Sequence, residues 1–318
     1  ENKDKIKITH YDNSTNYPIT KNPLVCLNHA LAESGYTLEI DKDYKFKKVL
    51  VIYNFFTEDT RNKILNKKNK ITLRENSEIH IIEYTAINSN SKFINNVYES
   101  VTLEKNSKLI NLIIQSNKCD GFFHKFIKNK LSLSSDYTSL IFSSGLKFNK
   151  LDIECDLTGE RSSCNILSAL FLNKDEHQEI KTCINHLAPN CKSYQRVKNV
   201  LNSESKGIFQ GKIYVKDVAQ KTDAYQLSKA LLLNGEAEFN SKPELEIYAD
   251  DVKCSHGSTS GSVDEDSLHY LMTRGLSRED SLKLLIKGFL SDIVEFIKSP
   301  SIKEFVESKL MDQINAHK

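Results

Sequence analysis

A thiol and an imidazole stand two residues apart near the C-terminal end of this chain, at Cys254 and His256. In an extended strand both side chains point to one face, because side chains alternate with a period of two. A cysteine and a histidine on one face can bind a soft metal, bind iron together with sulfide, or act as nucleophile and base. The residues alone leave these three chemistries open.

Carboxylates precede this pair and add oxygen ligands to the candidate site. Glu246, Asp250 and Asp251 all lie within the ten residues before His256. Oxygen ligands suit iron before sulfide arrives, and a carboxylate can also orient an imidazole. Because adjacent residues of a strand face opposite ways, we expect at most one of the two aspartates to point to the site. The alternative is that both belong to a polar turn.

A second combination of these residue types occurs at His186 and Cys191. Together with Cys183 they come closest to the spacing of a metal site, but a structural zinc site needs a fourth ligand and usually tighter pairs. The alternative is packing within a strand, followed by a corner turn at Pro189. We keep His186 and Cys191 as accessory candidates.

Composition and charge exclude several classes of protein. The 44 basic and 42 acidic residues leave a net charge of +2, without the basic excess of a nucleic-acid binder. No apolar run approaches the ~20 residues of a membrane span, and no signal-peptide pattern follows Glu1. Seven cysteines, an odd number, favour free thiols in a reducing compartment. We therefore expect a cytoplasmic protein that binds neither nucleic acid nor membrane.

Short alternating apolar runs, rich in Val, Ile, Tyr and Phe, recur over residues 21–262 and predict strands. Polar corners separate them, and two similar corners, Glu75–Glu78 and Lys105–Lys108, lie 30 residues apart. Repeated short strands with such corners fit a parallel β-helix, in which each turn stacks on the last. The pattern alone fits a β-sandwich equally well. Residues 1–20 are polar and are interpreted as a leader or an edge segment.

The pattern changes after residue 262, where helices are predicted. Ser262–Glu265 has the form of a capping box that opens a first helix. Ser277 opens a second helix, in which apolar residues three and four apart form a stripe, and Pro300 opens a third. We expect a C-terminal helical domain over residues 263–318.

Several of these motifs together resemble the SufB/SufD family, whose members are scaffold subunits of iron–sulfur cluster assembly by the SUF system. The resemblance rests on Cys254–Gly257, Gly207–Ile213, Ala219–Ala224 and Thr273–Leu276, which follow one another in the family's order and spacing. It is dense over residues 159–297 and thinner near the start. The SufD branch is favoured because residues 235–247 contain no cysteine, whereas SufB subunits carry one there. Little is visible of the helical segment that usually precedes the family's core.

The resemblance implies a mainly β fold, with a right-handed parallel β-helix core and a C-terminal helical domain. It implies a non-catalytic scaffold that pairs with SufB through β-helix edges and docks the SufC ATPase through the helices of residues 263–318. His256 would ligate iron transiently at an assembly site completed by SufB, with Cys254 beside it. No cofactor is expected to bind the chain tightly on its own. The sequence leaves open whether a flavin binds the complex and whether the isolated chain forms a homodimer.

Two other functions remain as alternatives at this point. The first is a β-helix lyase or hydrolase that uses His256 as base, with Cys254 or a carboxylate as its partner. Against it, no cluster of several carboxylates marks a groove for an acidic polysaccharide. The second is a structural zinc or interaction module built on Cys183, His186 and Cys191. No P-loop sequence occurs, so ATP chemistry would have to come from a partner.

Overall fold

The computed structural model describes residues 3–11, 20–87, 92–116 and 118–315. In order along the chain the strands are β1 (Ile6–His10), β2 (Ser34–Ile40), β3 (Lys45–Phe56), β4 (Ile64–Leu73), β5 (Glu78–Ile87), β6 (Ile94–Leu103), β7 (Lys108–Gln115), β8 (Cys119–Leu131), β9 (Asp136–Ser143), β10 (Leu146–Leu157), β11 (Ser163–Leu172), β12 (His177–His186), β13 (Lys192–Leu201), β14 (Lys206–Val215), β15 (Asp223–Leu232), β16 (Glu238–Ile247) and β17 (Lys253–Ser262). The helices are α1 (Pro23–Leu31), α2 (Glu265–Thr273), α3 (Arg278–Val294) and α4 (Pro300–Asn315).

Successive strands alternate between two sheets, which is the arrangement of a parallel β-helix. Sheet A contains β1 and the even-numbered strands β2 to β16, and sheet B contains the odd-numbered strands β3 to β17. From β4 onward each strand pairs in parallel with the strand one turn earlier, and about eight turns stack in this way. The predicted β-helix with C-terminal helices is therefore confirmed, and the β-sandwich alternative is wrong.

The inward positions of the strands stack from turn to turn and form the core. One such column in sheet A is fully buried and consists of Ile40, Leu73, Leu103, Leu131 and Leu157. Each turn alone exposes its apolar face, and stacking removes that face from water. This explains why alternating runs recur along the sequence without a long helix between them.

Polar corners separate the strands, and several adopt the left-handed backbone that their residue types tolerate. Asn76 and Asn106 have φ angles of 57° and 58°. The amide of Asn106 donates to Asn76 Oδ1 at 2.9 Å, and the amide of Asn76 donates to Asp43 Oδ1 at 2.6 Å. The corners predicted from the 30-residue spacing thus form a hydrogen-bonded ladder along one edge of the β-helix.

The N-terminal part of the chain adds two elements to sheet A. β1, which falls in the segment interpreted as a leader or edge, pairs antiparallel with β2; residues 1–2 and 12–19 of that segment lie outside the described residues. The short helix α1 packs on the outer face of sheet A, where buried Asn28 donates to the carbonyls of Lys67 and Asn96, each at 2.9 Å. The sequence patterns did not predict α1.

The C-terminal helices fold back over the outer face of sheet B. Ile286, Leu290 and Ile293 of α3 are buried in one apolar cluster with side chains of β9 and β11, among them Phe142. Asp292 of α3 forms ion pairs with Arg196 and Lys198 of β13. These ion pairs fix α3 to the sheet. None of the helices in the described residues is both long and apolar enough to cross a membrane.

The start of α3 agrees with the sequence prediction, whereas the start of α2 differs from it. Ser277 caps α3 and accepts from the N–H of Asp280 at 3.0 Å, as expected. The cap of α2 is Asp264, which accepts from the N–H of Ser267 at 3.2 Å. Ser262 instead ends β17, where it pairs with Leu232. The predicted capping box at Ser262 is wrong because strand pairing still holds Ser262, and the helix is capped two residues later.

Candidate functional site at the last turn of the β-helix

The last turn consists of β16 and β17, and within the described chain each has a strand on one side only. The inward positions of β17 follow those of β15 in register: Cys254 with Ala224, His256 with Gln226, Ser258 with Ser228, and Ser260 with Ala230. The strand therefore places Cys254 and His256 on one face, the face that would be interior if another turn followed. Because no strand of the described chain covers it, this face is open to solvent.

His256 is exposed at this open end, and no described residue hydrogen-bonds its ring. One turn below it lies Gln226, which is fully buried. The amide of Gln226 donates to the carbonyl of Gly211 at 3.3 Å, while its Oε1 has no partner among the described residues. The imidazole thus lies one turn above a buried amide, and both of its ring nitrogens are available to a ligand or a proton.

Cys254 is half-buried at the edge of this face. It contacts a small apolar cluster that includes Ile213, Val215, Ala224 and Ala249. Burial raises the pKa of the Cys254 thiol, partly offset by the backbone N–H of Ala224. A thiol with a raised pKa is a weak nucleophile at neutral pH, because the thiolate is the reactive form. Cys254 therefore lies at the edge of the site without being activated by the chain itself.

The three carboxylates upstream do not join His256 in a ligand set. Glu246 pairs with Lys212 at 2.8 Å, on the outer face of sheet A. Asp250 and Asp251 are exposed in the corner between β16 and β17, where the N–H of Asp251 donates to Gln220 Oε1 at 2.9 Å. Among the described residues no group of three or more His, Cys, Asp and Glu side chains is placed to hold a metal ion.

The accessory pair His186 and Cys191 is fully buried, and each residue has its own neighbours. His186 Nε2 lies 2.9 Å from Ser193 Oγ, and burial lowers the pKa of His186 to about 4. Cys191 Sγ lies 3.3 Å from the carbonyl of Gly159, and burial raises its pKa. Cys183 occupies an outward position of β12, opposite in face to His186. The described residues therefore bring no zinc site together here.

A group that the sequence analysis missed lies inside the first turns. Lys125 Nζ is 2.7 Å from Glu83 Oε2 and 3.1 Å from Glu99 Oε2, and all three side chains are largely buried. The signal was present in part, because Glu83 continues the inward alternation of Ile79 and Ile81 in β5. Which of the two alternating faces points inward depends on pairing between turns, and that pairing is not readable from one strand.

Comparison with known proteins identifies the family. A family model described as the SufBD core domain of SUF-system iron–sulfur cluster assembly matches residues 55–289, from the end of β3 into α3. The chain belongs to the SufBD family. Membership associates the chain with SUF-system iron–sulfur cluster assembly, and it bears out the resemblance to the SufB/SufD family.

Individual relatives agree with this assignment. The chain is 27% identical to the iron–sulfur cluster assembly protein SufD of Escherichia coli over 89% of its own length and 68% of that protein. It is 29% identical to a SufBD family protein of Synechocystis over 73% of the chain, and 27% identical to the chloroplastic protein ABCI7 of Arabidopsis thaliana over 78%. The chain spans about half the length of these last two relatives, at 53% and 52%.

Proposed function

We propose that this chain is a non-catalytic scaffold subunit of SUF iron–sulfur cluster assembly, and that a partner β-helix docks on its last turn. The observation that carries the proposal is an incomplete site on a free edge. His256 has free ring nitrogens, yet the described residues supply no further metal ligands around it. A neutral imidazole can ligate iron, and a partner would supply the remaining ligands.

The free edges of β16 and β17 support docking by a second chain. Unpaired N–H and C=O groups along an edge strand invite pairing with another strand, and native proteins cover or blunt such edges. We infer that SufB, the paralogous subunit, covers this edge and places a cysteine opposite His256. Iron and sulfide are in this proposal the cargo of the complex and not a resident cofactor of the chain.

The helices after β17 offer a second surface, for the SufC ATPase. Tyr270 and Met272 of α2, and Leu276 in the turn that follows, are 57%, 41% and 38% exposed. Three large apolar side chains within seven residues are therefore exposed in this segment. ATP hydrolysis by the docked partner would shift the arrangement of the two β-helix subunits, and we place the whole complex in the cytoplasm.

The test is co-expression with the cognate SufB and SufC, followed by purification without oxygen. The wild-type chain is compared with His256→Ala and with His10→Ala, a matched exposed histidine on the edge strand at the other end of the β-helix. Subunit stoichiometry, iron and sulfide are measured on each preparation. We expect an intact complex in all three and a loss of iron and sulfide only in His256→Ala.

Two results would contradict the proposal in different ways. An intact His256→Ala complex with unchanged iron and sulfide would remove His256 from the assembly site. A wild-type chain that fails to join SufB and SufC would remove the docking proposal itself. The alternative of a β-helix lyase or hydrolase gains no support, because no described carboxylate hydrogen-bonds His256.

A further inference from the structure

The outer face of sheet A carries a row of apolar side chains beside helix α1. The row takes one outward side chain from each of four neighbouring strands, all in register: Ile64, Ile94, Phe122 and Phe148. The first three are 56%, 40% and 44% exposed, and the ring of the half-buried Phe148 lies 5.6 Å from that of Phe122. We call these four side chains the floor row. Single exposed apolar residues are ordinary, whereas a row in register is a contiguous patch.

Helix α1 crosses the same strands and runs alongside the floor row. At the start of the helix, Asn22 donates to Asp152 Oδ2 of β10 at 3.2 Å. A carbonyl in its first turn accepts from Asn96 of β6 at 2.9 Å, and a carbonyl near its end accepts from Lys68 of β4 at 3.2 Å. These contacts lie two to four residues beyond the floor row in their strands. At about 3.3 Å per residue, α1 therefore lies roughly 7–13 Å from the row.

Three leucines form the side of α1 that faces the floor row. The opposite side of the helix is marked by His29, whose ring packs on that of Tyr98 at 4.7 Å, four residues beyond the row in β6. At 3.6 residues per turn, three exposed leucines lie about 140–160° around the helix from His29: Leu24, Leu27 and Leu31. With the floor row they form an L-shaped trough, which no element of the described chain covers.

The dimensions of the trough fit one α-helix. Packed helices lie about 8–10 Å apart, so a helix packed against the leucines of α1 would lie over the floor row. Four strands about 4.8 Å apart make the row roughly 15–19 Å long, which about 10–13 helical residues span. A flat bilayer surface would not reach the floor row, because α1 stands above the sheet beside it. The shape therefore favours a helix over a membrane.

The side of the trough opposite α1 carries positive charge. Within the four residues before each floor residue, the described chain has five exposed basic side chains: Arg61, Lys63, Lys92, Lys118 and Lys147. The same stretches contain one carboxylate, Asp120. None of the five basic side chains forms an ion pair with a described residue. Acidic side chains on this flank of an occupant would be attracted, and basic ones repelled.

We propose that this trough binds an acidic amphipathic helix of a partner protein. The apolar face of that helix packs on the floor row and on the leucines of α1, and its acidic flank lies along the basic side. Successive floor side chains are about 4.8 Å apart, close to the 5–6 Å between helix residues three or four apart. This is the helix-in-groove mode of recognition. The trough lies on early turns of the β-helix, so its occupant leaves the last turn and His256 accessible.

The first experiment titrates the whole wild-type chain into fluorescent helical peptides of about 14 residues and measures their anisotropy. Each peptide has leucines three and four residues apart and glutamates along one flank. Two versions, with the glutamates on either flank, allow for both directions of the helix. The controls replace glutamate by lysine or scramble the order. We expect one acidic version to bind with a Kd below about 100 μM, and its lysine counterpart and scrambled form to bind about tenfold more weakly or less.

Variants then place the binding in the trough. Ile94→Glu puts a charge on the floor row, while Tyr53→Glu changes an exposed apolar residue on the outer face of sheet B and is the matched control. We expect affinity for the acidic peptide to fall about tenfold or more in Ile94→Glu and to stay unchanged in Tyr53→Glu. Leu27→Glu, in the wall, carries this arm if Ile94→Glu does not fold. The double variant Lys63→Glu, Lys147→Glu should prefer the lysine peptide over the acidic one.

Four results would overturn the proposal. The first is that neither acidic peptide binds the wild-type chain, or that the lysine peptide binds it as tightly. The second is that the folded Ile94→Glu variant, or Leu27→Glu in its place, binds like the wild type. The third is a wild-type dimer in sedimentation velocity that Ile94→Glu disperses, which would make a second copy the occupant. The fourth is binding to phosphatidylserine vesicles that Ile94→Glu abolishes, which would make the trough a membrane surface.

Discussion

The two ends of the β-helix differ in where they keep the polar side chains of their inward faces. At the C-terminal end, His256, Ser258 and Ser260 lie exposed on a strand with a free edge. Nearer the N-terminal end, Glu99 and Lys125 are enclosed by the stacked turns and form an ion pair. An exposed polar face can be covered by a partner, whereas enclosed polar groups must find their partners within the chain. The same architecture thus treats its polar inward residues in two ways.

The two ends should also differ in how much a substitution lowers the free energy of unfolding, which experiments can measure. Buried charges depend on their partners, and removing one partner leaves an uncompensated charge in a medium of low polarity. Truncating an exposed side chain on a free edge changes the free energy of unfolding only a little. We therefore expect substitutions in the first turns to destabilise the fold strongly and matched substitutions in the last turn to leave it almost unchanged.

The largest effect is expected from Lys125→Met. It leaves Glu83 and Glu99 facing each other inside the β-helix without their shared cation. The free energy of unfolding at pH 7 should fall by about 3–5 kcal/mol, measured by urea denaturation. Lys150→Met, which removes a part-exposed pair with Glu179 on the outer face, should cost no more than about 1 kcal/mol. A small effect for Lys125→Met would show that the two ends do not differ in this way.

The next effect is a dependence on pH that originates at His186. Burial lowers its pKa in the folded state to about 4, from an unperturbed 6.5. The unfolded chain therefore binds this proton first as the pH falls, and stability is lost between pH 6.5 and about 4. At roughly 1.4 kcal/mol per pH unit the full loss is about 3.5 kcal/mol. Urea denaturation of wild type and His186→Gln across this range should show this loss in the difference between the two proteins, because all other titrating groups are shared.

Substitutions at two glycines allow the packing of an inner turn to be compared with that of the last turn. A Cβ on Gly211 would lie 2.5 Å from the buried amide of Gln226, whereas a Cβ on Gly261 meets nothing within 4 Å. Gly211→Ala should lower the free energy of unfolding by about 1–3 kcal/mol, and Gly261→Ala should change it by no more than about 0.5 kcal/mol. Equal effects in the urea transitions would mean that the last turn is packed as tightly as the turn beneath it.

The smallest effect is expected from His256→Ala in the isolated chain. Its ring is exposed and has no hydrogen bond to a described residue, so stability should change by no more than about 0.5 kcal/mol. Gln226→Ala, one turn below in the same column, removes a buried amide and should cost about 1–3 kcal/mol. A thermal denaturation comparison suffices. A large loss in His256→Ala would make this histidine a structural residue.

Much of the architecture was predictable because its cause is local. The alternation of apolar residues recurs with each turn, and corners with a left-handed backbone, such as those at Asn76 and Asn106, recur between the strands. Helix α1 escaped prediction because it has only nine residues and starts at an Asn22 cap within an otherwise strand-rich region. The start of α2 was misplaced because the pairing of Ser262 with Leu232 extends β17, and pairing is a tertiary effect.

The candidate site was predictable only in part, for a related reason. The shared face of Cys254 and His256 follows from the period of one strand. The outward position of Glu246 depends on its register with Tyr214. This register cannot be predicted from the sequence of β16 alone. The ion pair of Lys125 with Glu99 requires β6 and β8 to stack in one register. Interactions between turns therefore decide the site, while interactions within a strand decide the fold.

The docking of α3 on sheet B also sets an order for biosynthesis. The apolar outer face of β9 and β11, with Phe142 and Leu167, is covered by Ile286 and Leu290, which follow more than a hundred residues later in the chain. The turns of the β-helix can stack one by one as they leave the ribosome, but this face stays bare until the final helices are made. Nascent chains that stop before α3 should therefore be the ones that need a chaperone.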